Sequence, residues 1–156
     1  MHSAVIPCAT AISSPPGRST GGRVFIDTSG FYALLVKKDD RHQRAGNFMK
    51  RAAGEKRRFV TTDYVVDETT TLLMARDLQR SILPFFEILF ASRACKVAWM
   101  DPERFERAKA MILKNLNRGW SFTDCTSFVV MRELKLRESL TKDRHFTEAG
   151  FEALLA

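Results

Sequence analysis

At 156 residues, with 45% hydrophobic and 28% charged side chains, the chain has the size and composition of one soluble domain with a buried core. No apolar run approaches the ~20 residues needed to cross a bilayer. The formal net charge of +7 points to a polyanionic partner, and to nucleic acid before membrane, because the basic residues are scattered rather than gathered on one amphipathic helix.

Residues 1–22 differ from the rest. Ser13-Ser14-Pro15-Pro16-Gly17 and Ser19-Thr20-Gly21-Gly22 cannot build a packed element, so a disordered extension is expected there, with the folded domain over 23–156. Arg18 is its one charged residue, so the positive balance belongs to the domain. Arg23 to Ile26 is a short apolar run closed by Asp27, the pattern of a buried parallel strand. Thr28 and Ser29 then open a helix through Phe31, Tyr32, Leu34 and Leu35. A second helix is expected from about His42 to Ala53, stopped by Gly54, and a second strand over Phe59 to Thr62. Asp63 opens a helix carrying Glu68 and Leu72. The next helix begins near Ser81, with Pro84 tolerable only in its first turn. Its residues Ile82 to Phe90 are apolar on almost every side, enough for both a core and a subunit interface. Lys96 to Trp99 reads as a third strand, followed by helices over Pro102 to Leu116 and Thr123 to Leu136. A short strand around Glu138 to Thr141 and a tail with a last turn and an edge strand complete the chain. This alternation predicts an α/β fold with a parallel sheet covered on both faces.

Cys8, Cys95 and Cys125 are odd in number and lack the close pairing of a zinc site, which suits free thiols in a reducing cytoplasm. His2, His42 and His145 offer no transition-metal spacing. Oxygen-ligand chemistry remains. Asp27, Glu68, Asp124 and Asp143 each stand where a strand ends or a helix begins, and in an open α/β sheet such positions converge on one crevice. Two bare carboxylates ~4 Å apart repel by roughly 4 kcal/mol at an effective dielectric near 20. A hard divalent cation, Mg2+ or Mn2+, relieves that repulsion. Singly, each acid has a plainer role. Asp27 is well placed at a helix start, Glu68 for a salt bridge to Arg76, and Ser121-Phe122-Thr123-Asp124 has capping-box spacing. Their joint placement points to a metal-dependent enzyme acting on phosphate.

The same segments carry a family resemblance. Phe25-Ile26-Asp27-Thr28-Ser29-Gly30-Phe31, Thr61-Thr62-Asp63-Tyr64-Val65-Val66-Asp67-Glu68-Thr69, Ser121-Phe122-Thr123-Asp124-Cys125 and Leu140-Thr141-Lys142-Asp143-Arg144-His145-Phe146 resemble, in order, the motifs of PIN-domain ribonucleases, in particular the VapC-type toxins of toxin–antitoxin pairs. The resemblance covers about residues 23–156; the amino-terminal extension is the feature it does not predict. It implies a three-layer α/β/α fold with five parallel strands and water-driven cleavage of single-stranded RNA at an acidic pocket. It also implies one or two Mg2+ or Mn2+ held by Asp27, Glu68, Asp124 and Asp143, a dimer, and an antitoxin segment lying across a groove near the first helices. Thr28, Ser29 and Thr123 are then candidates to orient a carboxylate or water, with helix capping as their alternative role. Lys142 and Arg144, with Arg118 and Arg76 behind them, are the candidate RNA contacts. Lys56-Arg57-Arg58 reads as a solvated loop facing elsewhere, and Trp120 as a core residue. A PIN nuclease of RNA maturation or quality control, or a catalytically silent RNA-binding module, are the competing functions. A phosphoacceptor signalling domain would want two acids after the first strand, where this chain has Thr28 and Ser29.

Overall fold

The computed structural model describes residues 22–91 and 93–156. The expected extension lies outside the described residues except for Gly22, as does Cys8. Five strands form one sheet in the order β3-β2-β1-β4-β5, every neighbouring pair parallel. The chain runs β1 (Arg23–Ile26), α1 (Thr28–Leu35), α2 (His42–Gly54), β2 (Arg58–Thr62), α3 (Asp63–Ala75), α4 (Ile82–Phe90), β3 (Cys95–Ala98), α5 (Pro102–Lys114), α6 (Phe122–Glu133), β4 (Glu138–Leu140), α7 (Arg144–Glu148) and β5 (Glu152–Ala153). This is the α/β/α architecture with a five-stranded parallel sheet that the family resemblance implies, and the alternation of strand and helix agrees with the sequence pattern.

β1 is central, and Val24, Phe25 and Ile26 are buried on both faces of the sheet. That burial explains their continuous apolar run. Phe128 of α6 anchors one aromatic cluster, with ring centroids 5.1 Å from Trp120, 5.0 Å from Phe146 and 5.6 Å from Phe151. Trp120 is therefore the core residue its sequence position suggests. Phe31 of α1 meets Phe85 of α4 edge-on at 5.0 Å. Within α4 only Phe85 and Leu89 are buried, whereas Leu83, Phe86 and Phe90 are exposed.

Several boundaries move from their sequence positions. α5 stops at Lys114, where the Asn115 side-chain amide donates to the Met111 carbonyl. α6 stops at Glu133 because Lys135 takes a left-handed conformation at φ 56° and its N–H turns back to the Arg132 carbonyl. β3 lies one residue earlier than expected, which leaves Trp99 outside the ladder and 63% exposed.

Helix α1 approaches β4 so closely that a Cβ on Gly30 would collide with the Leu140 carbonyl oxygen. Only glycine permits that contact. It draws the end of β4 against the end of β1, where the Asp27 N–H donates to the Leu140 carbonyl at 3.3 Å.

Candidate functional site

Strand order reverses between β1 and β4, since the chain winds outward through β2 and β3 on one side and β5 on the other. A crevice forms outside the carboxyl ends of strands at such a switch point. The acids follow from it. Asp27 leaves β1 and Asp143 follows β4 on either side of the reversal, while α3 and α6 bring Glu68 and Asp124 to the same place. All four line one cleft of about 290 Å3, together with Thr28, Ser29, Tyr32, Asp39, Arg76 and Lys142.

Hydroxyl groups hold the acids in position. The Thr141 hydroxyl donates to Asp27 Oδ2 at 3.0 Å and lies 2.9 Å from Ser29 Oγ. Its one proton is committed to Asp27, so Ser29 is the donor in the second contact. Ser29 Oγ in turn accepts the Lys142 N–H at 3.0 Å, and Thr141 Oγ1 accepts the Asp143 N–H at 3.0 Å. On the facing side the Thr28 hydroxyl donates to Glu68 Oε2 at 2.7 Å. Asp124 sits in a completed capping box: its N–H donates to Ser121 Oγ at 3.0 Å and its Oδ2 accepts the Ser121 N–H at 2.9 Å. Capping and cleft lining coexist in this residue, because the capping box occupies only one carboxylate oxygen.

His145, in the first turn of α7, joins the last two acids. Its Nδ1 lies 3.0 Å from Asp124 Oδ2 and 3.5 Å from Asp143 Oδ1, and its backbone N–H donates to Asp143 Oδ1 at 2.9 Å. Ionised carboxylates only accept, so Nδ1 carries a proton in this arrangement. Ligand atoms of Asp124, Asp143 and His145 all lie within 4.8 Å of one another. Glu68 Oε1, Asp124 Oδ1 and Asp143 Oδ2 accept no hydrogen bond from any described residue. Each of these three acids thus keeps one oxygen held by the protein and one free.

The electrostatics register the crowding. Burial pushes the Asp27 carboxyl up to about 7, and the Asp124 and Glu68 charges add to it, against the Thr28 backbone N–H and the Thr141 hydroxyl. Burial also holds Asp124 above the usual carboxylate range, helped by Asp143 and opposed by the Ser121 N–H and His145. Cys125, buried beside Asp124, has its thiol pushed up to about 11 by burial first and the Asp124 charge second. It is an inert core group.

Not every residue singled out from the sequence reaches the cleft. Lys142 lines it and pairs with Asp39 at 3.2 Å, and Arg76 lines it with its guanidinium 5.8 Å from the Tyr32 ring centroid. Arg144 points to solvent and pairs with Glu148 on its own helix at 3.6 Å, and Arg118 covers the Trp120 ring 5.6 Å away. Thr123 gives its carbonyl to the Thr126 hydroxyl and does not line the cleft. Ser121, its neighbour in the motif, is the residue that orients Asp124. His145, Thr141 and Asp39 were not singled out from the sequence. The Thr141-Lys142-Asp143-Arg144-His145 run held the signal for two of them, with polar side chains two apart at a helix start.

A PIN domain model matches residues 24–152. The chain belongs to the PIN-domain family. Within it this PIN domain is of the VapC ribonuclease type. It is 31% identical over 128 residues to the 23S rRNA-specific endonuclease VapC20 of Mycobacterium tuberculosis, covering 82% of this chain and 95% of that protein. It is also 31% identical over 114 residues to the VapC ribonuclease of Archaeoglobus fulgidus, covering 72% of each. The crystal structure of M. tuberculosis VapC20, described as a sarcin–ricin loop cleaving toxin, superposes with a TM-score of 0.74 at 30% identity, over 82% of this chain and 95% of that chain.

Proposed function

We propose that this PIN domain is a Mg2+- or Mn2+-dependent endoribonuclease that cuts single-stranded RNA in tRNA or rRNA loops, acting as the toxin of a toxin–antitoxin pair. One observation carries the metal assignment: Glu68, Asp124 and Asp143 line one cleft, and each has one oxygen locked by a hydrogen bond and one that accepts none from a described residue. Asp27, desolvated and with its carboxyl pushed up to about 7, is a carboxylate lacking a countercharge. A donor set of carboxylates fits a hard, oxygen-seeking cation. Asp27, Glu68, Asp124 and Asp143 would hold it, and the bound cation would supply a hydroxide nucleophile near neutral pH and neutralise charge on the phosphate.

The remaining work falls to the protein. Thr28, Thr141 and Ser121 hold Glu68, Asp27 and Asp124 in fixed rotamers, so the cleft needs little reorganisation when substrate arrives. His145 links Asp124 Oδ2 to Asp143 Oδ1, leaving their other oxygens uncommitted. Lys142 and Arg76 at the rim are positioned to take phosphates, Lys142 by exchanging Asp39 for the RNA backbone. Hydrolysis by water leaves a 5′-phosphate and a 3′-hydroxyl. The names of the M. tuberculosis relatives favour an rRNA loop over tRNA for this chain. A VapB-like antitoxin and a homodimer accompany this reading. Partly buried Tyr32, Leu34 and Leu35 of α1 are the surface on which an antitoxin segment would lie.

Cleavage mapping on total cellular RNA tests the proposal, with wild type beside Asp124→Ala and each with and without chelator. Discrete cuts by wild type that vanish with chelator and in the variant are expected. Equal cutting by both proteins would overturn it.

A further inference from the structure

A second cavity, about 520 Å3, lies apart from the acidic cleft and shares no lining residue with it. Its lining includes Val60 of β2 and Val97 of the edge strand β3 together with Arg23, Arg58, Arg93 and Lys96. Arg23 and Arg58 are paired in register on adjacent strands, ~4.8 Å apart. The Arg58 guanidinium donates to the Arg93 carbonyl at 3.1 Å, so these residues form a row along the amino end of the sheet. All four basic side chains belong to exposed residues, and none is ion-paired among the described residues. The nearby Arg104 differs, because Glu133 neutralises it through contacts of 3.0 and 2.7 Å. Asp101 is the one acid among the lining residues; its Oδ1 caps α5 by accepting the Arg104 N–H, and its charge acts on Arg104.

A concentrated, uncompensated positive row wants a polyanion. Residues 1–21 contain no Asp or Glu and do not supply one. A two-fold pairing of this face with itself would set like charge against like. Trp99 separates RNA from an acidic polypeptide: its indole, 63% exposed on the cavity wall, offers the stacking face on which an unpaired base rests. Helix α6 links the two sites, with Asp124 at its start and Leu134 just beyond its end, ~15 Å apart at 1.5 Å per residue. One nucleotide cannot touch both.

We propose that this cavity is a second RNA-binding groove that grips the backbone flanking the cleaved loop, through Arg23, Arg58, Arg93 and Lys96, with Trp99 stacking on a base. It rests on the ribonuclease reading and deepens it: the acidic cleft cuts, and the groove selects long or structured RNA.

The full-length triple variant Arg58→Glu/Arg93→Glu/Lys96→Glu tests this against wild type in Mn2+. The substrates are a short single-stranded oligonucleotide that fills only the cleft and the same sequence embedded in a long stem–loop. The groove predicts unchanged kinetics on the short RNA and a KM raised at least ~10-fold on the long one at constant kcat. It also predicts a log–log salt slope on the long RNA smaller by about 2 to 3, roughly one per lost phosphate contact. Trp99→Ala weakens the long RNA alone, by a smaller factor. If the triple variant melts early, Arg93→Gln/Lys96→Gln makes the same comparison with about two-thirds of the change in slope. Wild-type KM and salt slope in the variants, with wild type cutting both RNAs, overturn the groove and leave the nuclease reading standing. Loss of binding to poly-glutamate with unchanged long-RNA KM assigns the groove to an acidic protein and likewise overturns it. A wild-type protein that cuts neither RNA removes the ribonuclease reading and the groove with it.

Discussion

The two ends of this sheet carry opposite charge. At the carboxyl ends, Asp27 and Asp143 follow β1 and β4, joined by Glu68 and Asp124. At the amino ends, Arg23 and Arg58 open β1 and β2, joined by Arg93 and Lys96. The acids are buried or half-buried, braced by hydroxyls and crowded enough to push one carboxyl to about 7, whereas the bases are exposed and unbraced by any acid. A preorganised charged cluster costs stability and is suited to chemistry; a solvated charged row costs little and is suited to grip. The overall charge of +7 conceals this division, because it averages a locally negative cleft with a positive remainder.

The sharpest way to break the contrast is at Asp27. Asp27→Asn is expected to lower the RNA cleavage rate ~1000-fold or more in single-turnover assays, the scale of losing a transition-state cation worth several kcal/mol. Stability runs the other way. A carboxyl raised from 3.8 to about 7 on folding keeps its proton in the folded state where the unfolded chain has lost it. Metal-free protein therefore loses stability as pH rises from about 4 to about 7, by up to about 4 kcal/mol, and is flat above. Asp27→Asn flattens that profile, and urea denaturation in chelator at pH 5 and pH 8 measures it. A wild-type profile rising across this window would refute the desolvated-acid account.

Gly30→Ala strikes the geometry rather than the charge. The new methyl meets the Leu140 carbonyl, so a loss of roughly 1–3 kcal/mol in chemical denaturation is expected. Cleavage should fall alongside, because β4 carries Asp143 away from Asp27. His145→Ala leaves all four acids in place but frees Asp124 and Asp143 from their clamp. A weakening of roughly 10–100-fold in Mn2+ affinity, read by calorimetry, is the expected result, and unaltered affinity would show that the clamp is idle. The smallest change belongs to the amino end. Lys135→Gly relieves a left-handed backbone at φ 56° and is expected to raise stability by up to ~1 kcal/mol with cleavage unaffected.

Much of this was legible beforehand, for identifiable reasons. β1 and β2 read correctly because strands buried on both faces leave an unbroken apolar signature, and α2 and α3 because Gly54 and Asp63 mark their ends. Helix ends set by backbone conformation did not read: nothing about Lys135 as a residue type announces a left-handed turn. Among the site residues, Asp124 carried two signals at once, and the sequence could not say that a carboxylate has an oxygen for each. Arg118 and Arg144 are near the acids in sequence yet turn to Trp120 and Glu148. Arg58 read as part of a solvated loop, but strand register sets it beside Arg23, 35 positions earlier, in one row.

The sequence by itself determined the alternation of strand and helix and the family, and it named the four acids that line the cleft, because periodicity, caps and motif order are local properties. Tertiary structure alone decided that strand order reverses between β1 and β4, that His145 closes onto Asp124, and that distant arginines share a groove. Those outcomes depend on which strands become neighbours and on the direction each side chain takes there, and both are set by packing across the whole chain.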